Sequence, residues 1–386
     1  MNKCTGHITK TVRFVACKSF LYIRSVLTIL STIATLCMAQ QETPPPPTEN
    51  LLIEDRSSQK WFYLRMDGEK TECNLQVPRG NYLHMLPGGF YFTMPAAPID
   101  AANIACLNTF GNSGIGNIIF NKPSRFSSTR KRRWNAARLS PNGQMIAVPE
   151  DGSILIIETI NGKMKLLQSA TSAKQSIPIR LSWSPDSEMI AYYEQDTSTP
   201  QRPFCISILN VKASDGNRRR LTTMSSDGAK MGLGSDMDEQ DIQWHPAGTS
   251  LIFTANLCLP NDAQPNDTFP KLYHVEIDGH NLRRLANGFL PQLNPDGFRL
   301  YYCESAESRP RVYNLKSDED KLLHKGIQGY AIQPSPSGHF LTAPRFNFPA
   351  EKAKRIIIMD PDGKEISVID PDVVSLGRIG WILTYW

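Results

Sequence analysis

The chain has 386 residues, 40% of them apolar, enough to bury a large core as one extended repeat fold or as two ordinary domains. Its 42 Lys and Arg exceed its 37 Asp and Glu, but Lys3, Lys10, Arg13, Lys18 and Arg24 all fall in the first 39 residues, which hold no acid. Without those five the body carries 37 residues of each sign, and a balanced body excludes general nucleic-acid binding, which needs a basic surface to neutralise phosphates.

Residues 1–39 read as an export signal: basic residues, the apolar run Ser25 to Met38, then Cys37-Met38-Ala39 with small residues where a signal peptidase cuts. The run of about 14 residues is short for a membrane span, which needs about 20. The expected location is therefore periplasmic or secreted, or the inner membrane if the leader stays uncut as an anchor, which is then the chain's one membrane contact. Leu36 stands where a lipobox requires a small residue, which argues against acylation of Cys37. Next comes Pro44-Pro45-Pro46-Pro47, an extended polyproline II spacer, so a linker is expected over 40–56 and a β-rich domain over 57–386.

Eight cysteines become five on cleavage, Cys73, Cys106, Cys205, Cys258 and Cys303, an odd set that allows at most two disulfides in an oxidising compartment. Cys73 with Cys106 is the candidate bridge by proximity, and buried unpaired thiols are the alternative. No CxxC pair is present, which excludes a zinc ribbon or a thioredoxin-type site.

The β region is an internal repeat of an apolar strand, a Pro-containing turn and a second apolar strand. The turns are Ser140-Pro-Asn-Gly143, Ser184-Pro-Asp-Ser187, His245-Pro-Ala-Gly248, Asn294-Pro-Asp-Gly297 and Ser335-Pro-Ser-Gly338, with a weaker sixth at Met85-Leu-Pro-Gly-Gly89. Their prolines fall at 87, 141, 185, 246, 295 and 336, giving steps of 54, 44, 61, 49 and 41 residues. A period in this range fits one four-stranded propeller blade per repeat. Proline presets the first corner, Asp, Asn or Ser bonds the local backbone, and glycine accepts positive φ, so two strands pair as a hairpin. Two residues before the prolines stand Leu139, Trp183, Trp244, Leu293 and Pro334, bulky groups suited to wedging between blades. A second half-motif is a strand running into Asp-Gly or Asn-Gly, at Gly68, Gly162, Gly279 and Gly363; the alternation over Tyr273 to Asp278 reads as an outermost strand with one wet face.

These Ser-Pro-Asp-type turns, with Ile277-Asp-Gly-His-Asn-Leu-Arg-Arg-Leu285, resemble the WD40-like repeats of the TolB β-propeller family over most of 57–386. The resemblance implies an all-β, six- or seven-bladed propeller and a role in the cell envelope, where TolB binds a peptidoglycan-associated lipoprotein. The α/β domain that precedes the propeller in TolB has no counterpart here between leader and repeats. The strand Trp61 to Met66 before the first Pro-turn, and the segment Val373 to Trp386 after the last, are expected to close the ring from both termini.

No catalytic constellation is evident. Gly-x-Ser-x-Gly is absent, Gly111 to Gly116 lacks the Lys of a phosphate loop, and the seven histidines show no ligand spacing. The candidate binding residues are two charged runs. Asp236, Asp238, Glu239 and Asp241 precede the inner strand Ile242 to Trp244 and are placed at the channel mouth, where they suit calcium or a basic partner segment. Arg130, Lys131, Arg132 and Arg133 suit an acidic protein, lipopolysaccharide or a lipid headgroup, and a solvated face is the alternative for both runs. Asn266-Asp-Thr268 fits a glycosylation sequon, relevant only in a eukaryotic pathway. The expectation is a monomeric module that binds an envelope protein or peptide, with no obligatory cofactor. A propeller enzyme acting on carbohydrate or peptide, or an envelope scaffold, are the rivals.

Overall fold

The computed structural model describes residues 48–73 (except 56 and 59), 81–95 (except 86–89), 105–108, 137–222 (except 151, 159–163, 169–175, 197, 199–203 and 214–216), 242–255, 270–304, 309–325, 332–346 and 353–384 (except 371–375). All lie in one compact unit, Pro47–Trp386. Among the described residues there are 26 strands and no helix, and every strand pairing is antiparallel.

The chain opens with β1 (Thr48–Asp55), β2 (Lys60–Leu64) and β3 (Lys70–Cys73), paired in that order. A three-stranded sheet follows, β4 (Asn81–Met85), β5 (Phe90–Pro95) and β6 (Ala105–Asn108), its first two strands bracketing the weak sixth turn. Two four-stranded sheets come next: β7 (Arg138–Leu139), β8 (Met145–Glu150), β9 (Ser153–Glu158) and β10 (Met164–Gln168), then β11 (Ser176–Trp183), β12 (Met189–Asp196), β13 (Phe204–Asn210) and β14 (Arg219–Arg220). A seven-stranded sheet runs through β15 (Ile242–Trp244), β16 (Ser250–Ala255), β17 (Lys271–Glu276), β18 (Arg283–Leu293), β19 (Arg299–Glu304), β20 (Pro310–Asn314) and β21 (Glu319–Leu322). It is two blades sharing β18, whose first half pairs with β17 and whose second half pairs with β19. Gly288 sits at the crossover, where a Cβ would come within 2.4 Å of the Tyr302 ring. The last sheet is β22 (Gln333–Pro334), β23 (Leu341–Phe346), β24 (Ala353–Met359) and β25 (Glu365–Ile369), and β26 (Leu376–Thr384) then returns to pair with β1 from Thr48↔Thr384 to Asp55↔Leu376.

Closure from both termini is thus present, but its shares differ from expectation. The linker expected over 40–56 gives way at Thr48 to a strand, so three strands of the closing sheet come from the N-terminal side and one from the C-terminal side. The apolar run Leu51-Leu-Ile53 is too short to announce a strand by periodicity, yet all three side chains are buried once β26 and β2 flank them.

Five Pro-turns have one geometry. The fourth residue donates its N–H to the carbonyl of the first, at 2.8 Å for Gly143, 2.9 Å for Ser187, 2.7 Å for Gly248, 2.9 Å for Gly297 and 2.9 Å for Gly338. Each of these residues has φ between 63° and 76°, so Ser187 adopts the left-handed backbone where the other repeats place glycine. The turns also touch in succession: Asn142 N–H donates to Ser187 Oγ at 3.2 Å, His245 Nε2 lies 3.2 Å from the Gly297 carbonyl, Asn294 Nδ2 donates to the Gly338 carbonyl at 3.3 Å, and Ser337 N–H donates to Glu49 Oε1 at 2.5 Å.

The core lies between sheets. Tyr193 and Phe204 of one blade meet Phe253 and Tyr273 of the next in a single cluster, and Tyr193 Oη donates to the Thr254 carbonyl across the gap at 2.6 Å. Each such ring contributes about 1.5–3 kcal/mol by burial. Leu51, Ile53 and Leu64 pack likewise against Ile356, Ile358 and Ile369, joining the closing sheet to the last blade.

Removing residues 376–386 should abolish the cooperative unfolding transition, and an unchanged melting curve would refute closure by β26. Gly248→Ala should cost about 1–2 kcal/mol through positive φ alone, since nothing lies within 4 Å of the new Cβ. Gly297→Ala should cost at least about 1 kcal/mol more, because its Cβ meets His245 Nε2 at 2.8 Å; denaturant unfolding of both variants checks the order.

Candidate functional site

The inner strands β7, β11, β15, β18 and β22 contact one another in succession, as do β26 and β4, so the inner sheet edges surround a central channel. On two of these strands the residue two before the proline is a tryptophan that turns to the preceding blade. Trp183 Nε1 donates to the Arg138 carbonyl at 2.9 Å, and Trp244 Nε1 makes the corresponding bond to the Ser182 carbonyl at 3.0 Å. The residue three before each proline, on the other side of the strand, is Arg138, Ser182, Gln243, Gln292 or Gln333, polar in all five repeats. Four of them are half-buried, and Arg138 is buried with Nη1 donating to the Ala137 carbonyl at 2.9 Å. On the inner strands the repeat thus sets a series of mainly uncharged donors and acceptors next to the backbone groups of the sheet edges.

Two inner strands carry the same bulge. Arg180 has φ 53° and Leu290 φ 55°, each five residues before its proline, and the register shifts beside them, between Ile179 and Ser182 and between Phe289 and Gln292. A bulge with a non-glycine residue in the left-handed region costs about 1–2 kcal/mol and re-aims the strand end, a device common beside binding sites.

A second polar centre lies within the blade β11 to β14. Glu194 is fully buried on β12; Arg218 Nη1 lies 2.6 Å and Arg220 Nη2 2.7 Å from its oxygens, and Ser207 Oγ donates to Oε2 at 2.9 Å. Burial alone would push this carboxyl up, but the bonds from Arg220 and Ser207 and the Arg218 charge hold it below the ordinary range. The neighbouring Cys205 thiol is pushed up to about 11 by burial and then by the Glu194 charge. Cys205 and Cys303 are both buried.

Asp236, Asp238, Glu239 and Asp241 lie outside the described residues, as do Arg130, Lys131, Arg132 and Arg133, the loop at Gly111, the sequon at Asn266 and the leader. The strand that follows the acidic run, β15, is an inner strand. β17 is not outermost: β18 lies outside it, and His274 and Glu276 are half-buried rather than wet. Alternation misled there because the polar face is turned toward the next blade, not to solvent. The channel position went unread although its signal was present, since polarity recurs at one fixed distance before every proline. Among the described residues no group of His, Cys, Asp and Glu could hold a metal ion, and no helix is long and apolar enough to cross a membrane.

Sheets packed face to face around a channel, with the first and last strands joined, make this chain a β-propeller. No family model and no curated protein matches it. Among solved structures it is similar to oligogalacturonate lyase from Vibrio parahaemolyticus, with 11% identity and a TM-score of 0.54 over 81% of this chain and 86% of the other. A puromycin-hydrolysing peptidase of Mycobacterium tuberculosis matches with 13% identity and a TM-score of 0.53, over 87% of this chain and 54% of that one. TolB from Acinetobacter baumannii matches with 14% identity and a TM-score of 0.44, over 83% and 78%. At these identities the likeness to the lyase and the peptidase supports the propeller fold alone and leaves the activity to the residues of this chain.

Because the folded pKa of Glu194 is depressed, its contribution is present above the ordinary glutamate range, about pH 4.3, and is lost as pH falls through the lower folded value. Glu194→Gln should therefore destabilise by about 2–3 kcal/mol at pH 7, at the low end for a broken buried pair because the Arg220 side chain is 41% exposed. The difference from the parent should shrink below about pH 4, and urea unfolding across pH measures it.

Proposed function

We propose that the chain is an exported binding module that takes a protein or peptide segment of the cell envelope at the channel end of its propeller. The observation behind this reading is the series Arg138, Ser182, Gln243, Gln292 and Gln333, set at one repeat position beside exposed strand edges. Amides and hydroxyls that can both donate and accept match the alternating N–H and C=O groups of an extended chain, and open sheet edges can pair with it directly. The two bulges shape the same strands, and the rigid ring spares the ligand any ordering cost on the protein side. The acidic run ending at Asp241 leads into β15, and the run Arg130 to Arg133 precedes β7, so both charged segments join the chain close to inner strands and supply electrostatic selection of the partner. The export leader supports the envelope as the compartment.

The test is capture from envelope extract by the exported chain and by a triple variant, Gln243→Ala/Gln292→Ala/Gln333→Ala, with melting curves recorded for both. A stoichiometric protein partner held by the parent and weakened at least tenfold in a folded variant is the expected result. Equal capture by both, or no protein partner together with turnover of a glycan or peptide, would overturn the reading in favour of an enzyme.

A further inference from the structure

Between the two blades that share β18, a groove of about 560 Å³ opens where the tight turns lie. His274, Glu276 and Arg283 bound it on one blade, Phe298 and Lys316 on the next, and His245 contributes from the Pro-turn.

The groove lies beside a position that differs from blade to blade. The turns Arg65–Gly68, Glu276–Gly279 and Asp360–Gly363 share one hydrogen-bond pattern: the glycine N–H donates to the first carbonyl, and the first N–H to the carbonyl of the residue after the glycine. Positions two before these turns therefore correspond, and they hold Tyr63, His274 and Ile358. Ile358 is fully buried against the neighbouring sheet. In the same place this blade puts an imidazole, whose Nδ1 is buried without a hydrogen-bond partner. An aliphatic group at this position closes the gap between blades; the imidazole leaves polar space.

The charges around that space are unequal. Arg283 stands directly opposite His274 in the strand register and is held by Asp318, itself outside the lining, at 2.9 Å. Lys316 Nζ lies 5.9 Å from the centroid of the Phe298 ring, which is 51% exposed. His245 accepts the Ala247 N–H at Nδ1, and its Nε2 lies 3.2 Å from the Gly297 carbonyl. Glu276 is the one carboxylate of the lining, and its Oε1 accepts from Asn281 Nδ2 at 2.7 Å. Arg283, paired with Asp318 from outside the lining, and Lys316 therefore stand with one engaged carboxylate beside an exposed aromatic face.

We propose that this groove binds a compact anion carried next to an aromatic group, as in an arylalkyl carboxylate, with Arg283 and Lys316 meeting the anion and Phe298 meeting the ring. His274 reports on occupancy. Burial and then the Arg283 charge hold it below the ordinary histidine range, while a hydrogen bond with the Asn281 backbone and then Glu276 act upward and His245 downward. A bound anion offsets Arg283, so the His274 titration moves up on binding and affinity rises as pH falls through it.

Calorimetric titration of the full chain with N-acetylphenylalanine and with N-acetylphenylalaninamide tests the site, with NMR of ¹³C-labelled histidine following His274. The acid should bind at least tenfold more tightly than the amide and raise the His274 titration midpoint. Arg283→Gln and His274→Ile should each lose that preference; His274→Ile carries the aliphatic side chain of the corresponding position and should melt no lower than the parent. Equal binding of acid and amide, binding of neither, an unmoved His274 titration, or a preference that survives in a folded His274→Ile variant would each overturn the proposal.

Discussion

The pairing of β26 with β1 is the contact on which the remaining structure depends. A blade buries apolar side chains only against its neighbours, as Tyr193 and Phe204 do against Phe253 and Tyr273. Without closure, the faces of the terminal blades would meet water and two long strand edges would lie open. Stability is then a chain of nearest-neighbour terms that becomes complete only when the last strand meets the first.

Closure also determines where chemical variation is tolerated. The Pro-turns are tied to one another around the ring, through Asn142 to Ser187, His245 to Gly297, Asn294 to Gly338 and Ser337 to Glu49. Those links keep the turns short and nearly identical. The long connections 109–136, 223–241 and 256–269 enter β7, β15 and β17 at the strand ends away from these turns. Both charged runs noted in the sequence belong to these connections, each in the segment that leads into an inner strand.

Polar groups inside the ring are accommodated in different ways. Glu194 is buried completely, and two guanidinium groups with a serine hydroxyl satisfy it, so it is a structural centre. His274 takes an aliphatic position without full compensation, and its gap stays open to ligand chemistry. The channel residues are mostly neutral and half-buried, a setting that favours hydrogen-bond matching over charge.

The β-propeller was legible in the sequence because its turn chemistry is local: proline, an Asx or Ser side chain and a residue tolerant of positive φ act within four positions and recur at blade spacing. Trp183 and Trp244 were legible as wedges for the same reason, since a repeat position implies a common environment. The strand at Thr48–Asp55 was not, because three apolar residues after a proline run become a strand only when β26 arrives from more than 300 residues away. Nor was the setting of His274, since alternation along one strand cannot distinguish a face turned to solvent from one turned to the next blade. Local sequence thus determined the turns, the repeat and the class of fold. Tertiary structure decided which polar side chains share a buried ion cluster or a groove, because those neighbours come from different strands of one blade, as around Glu194, or from adjacent blades, as around His274.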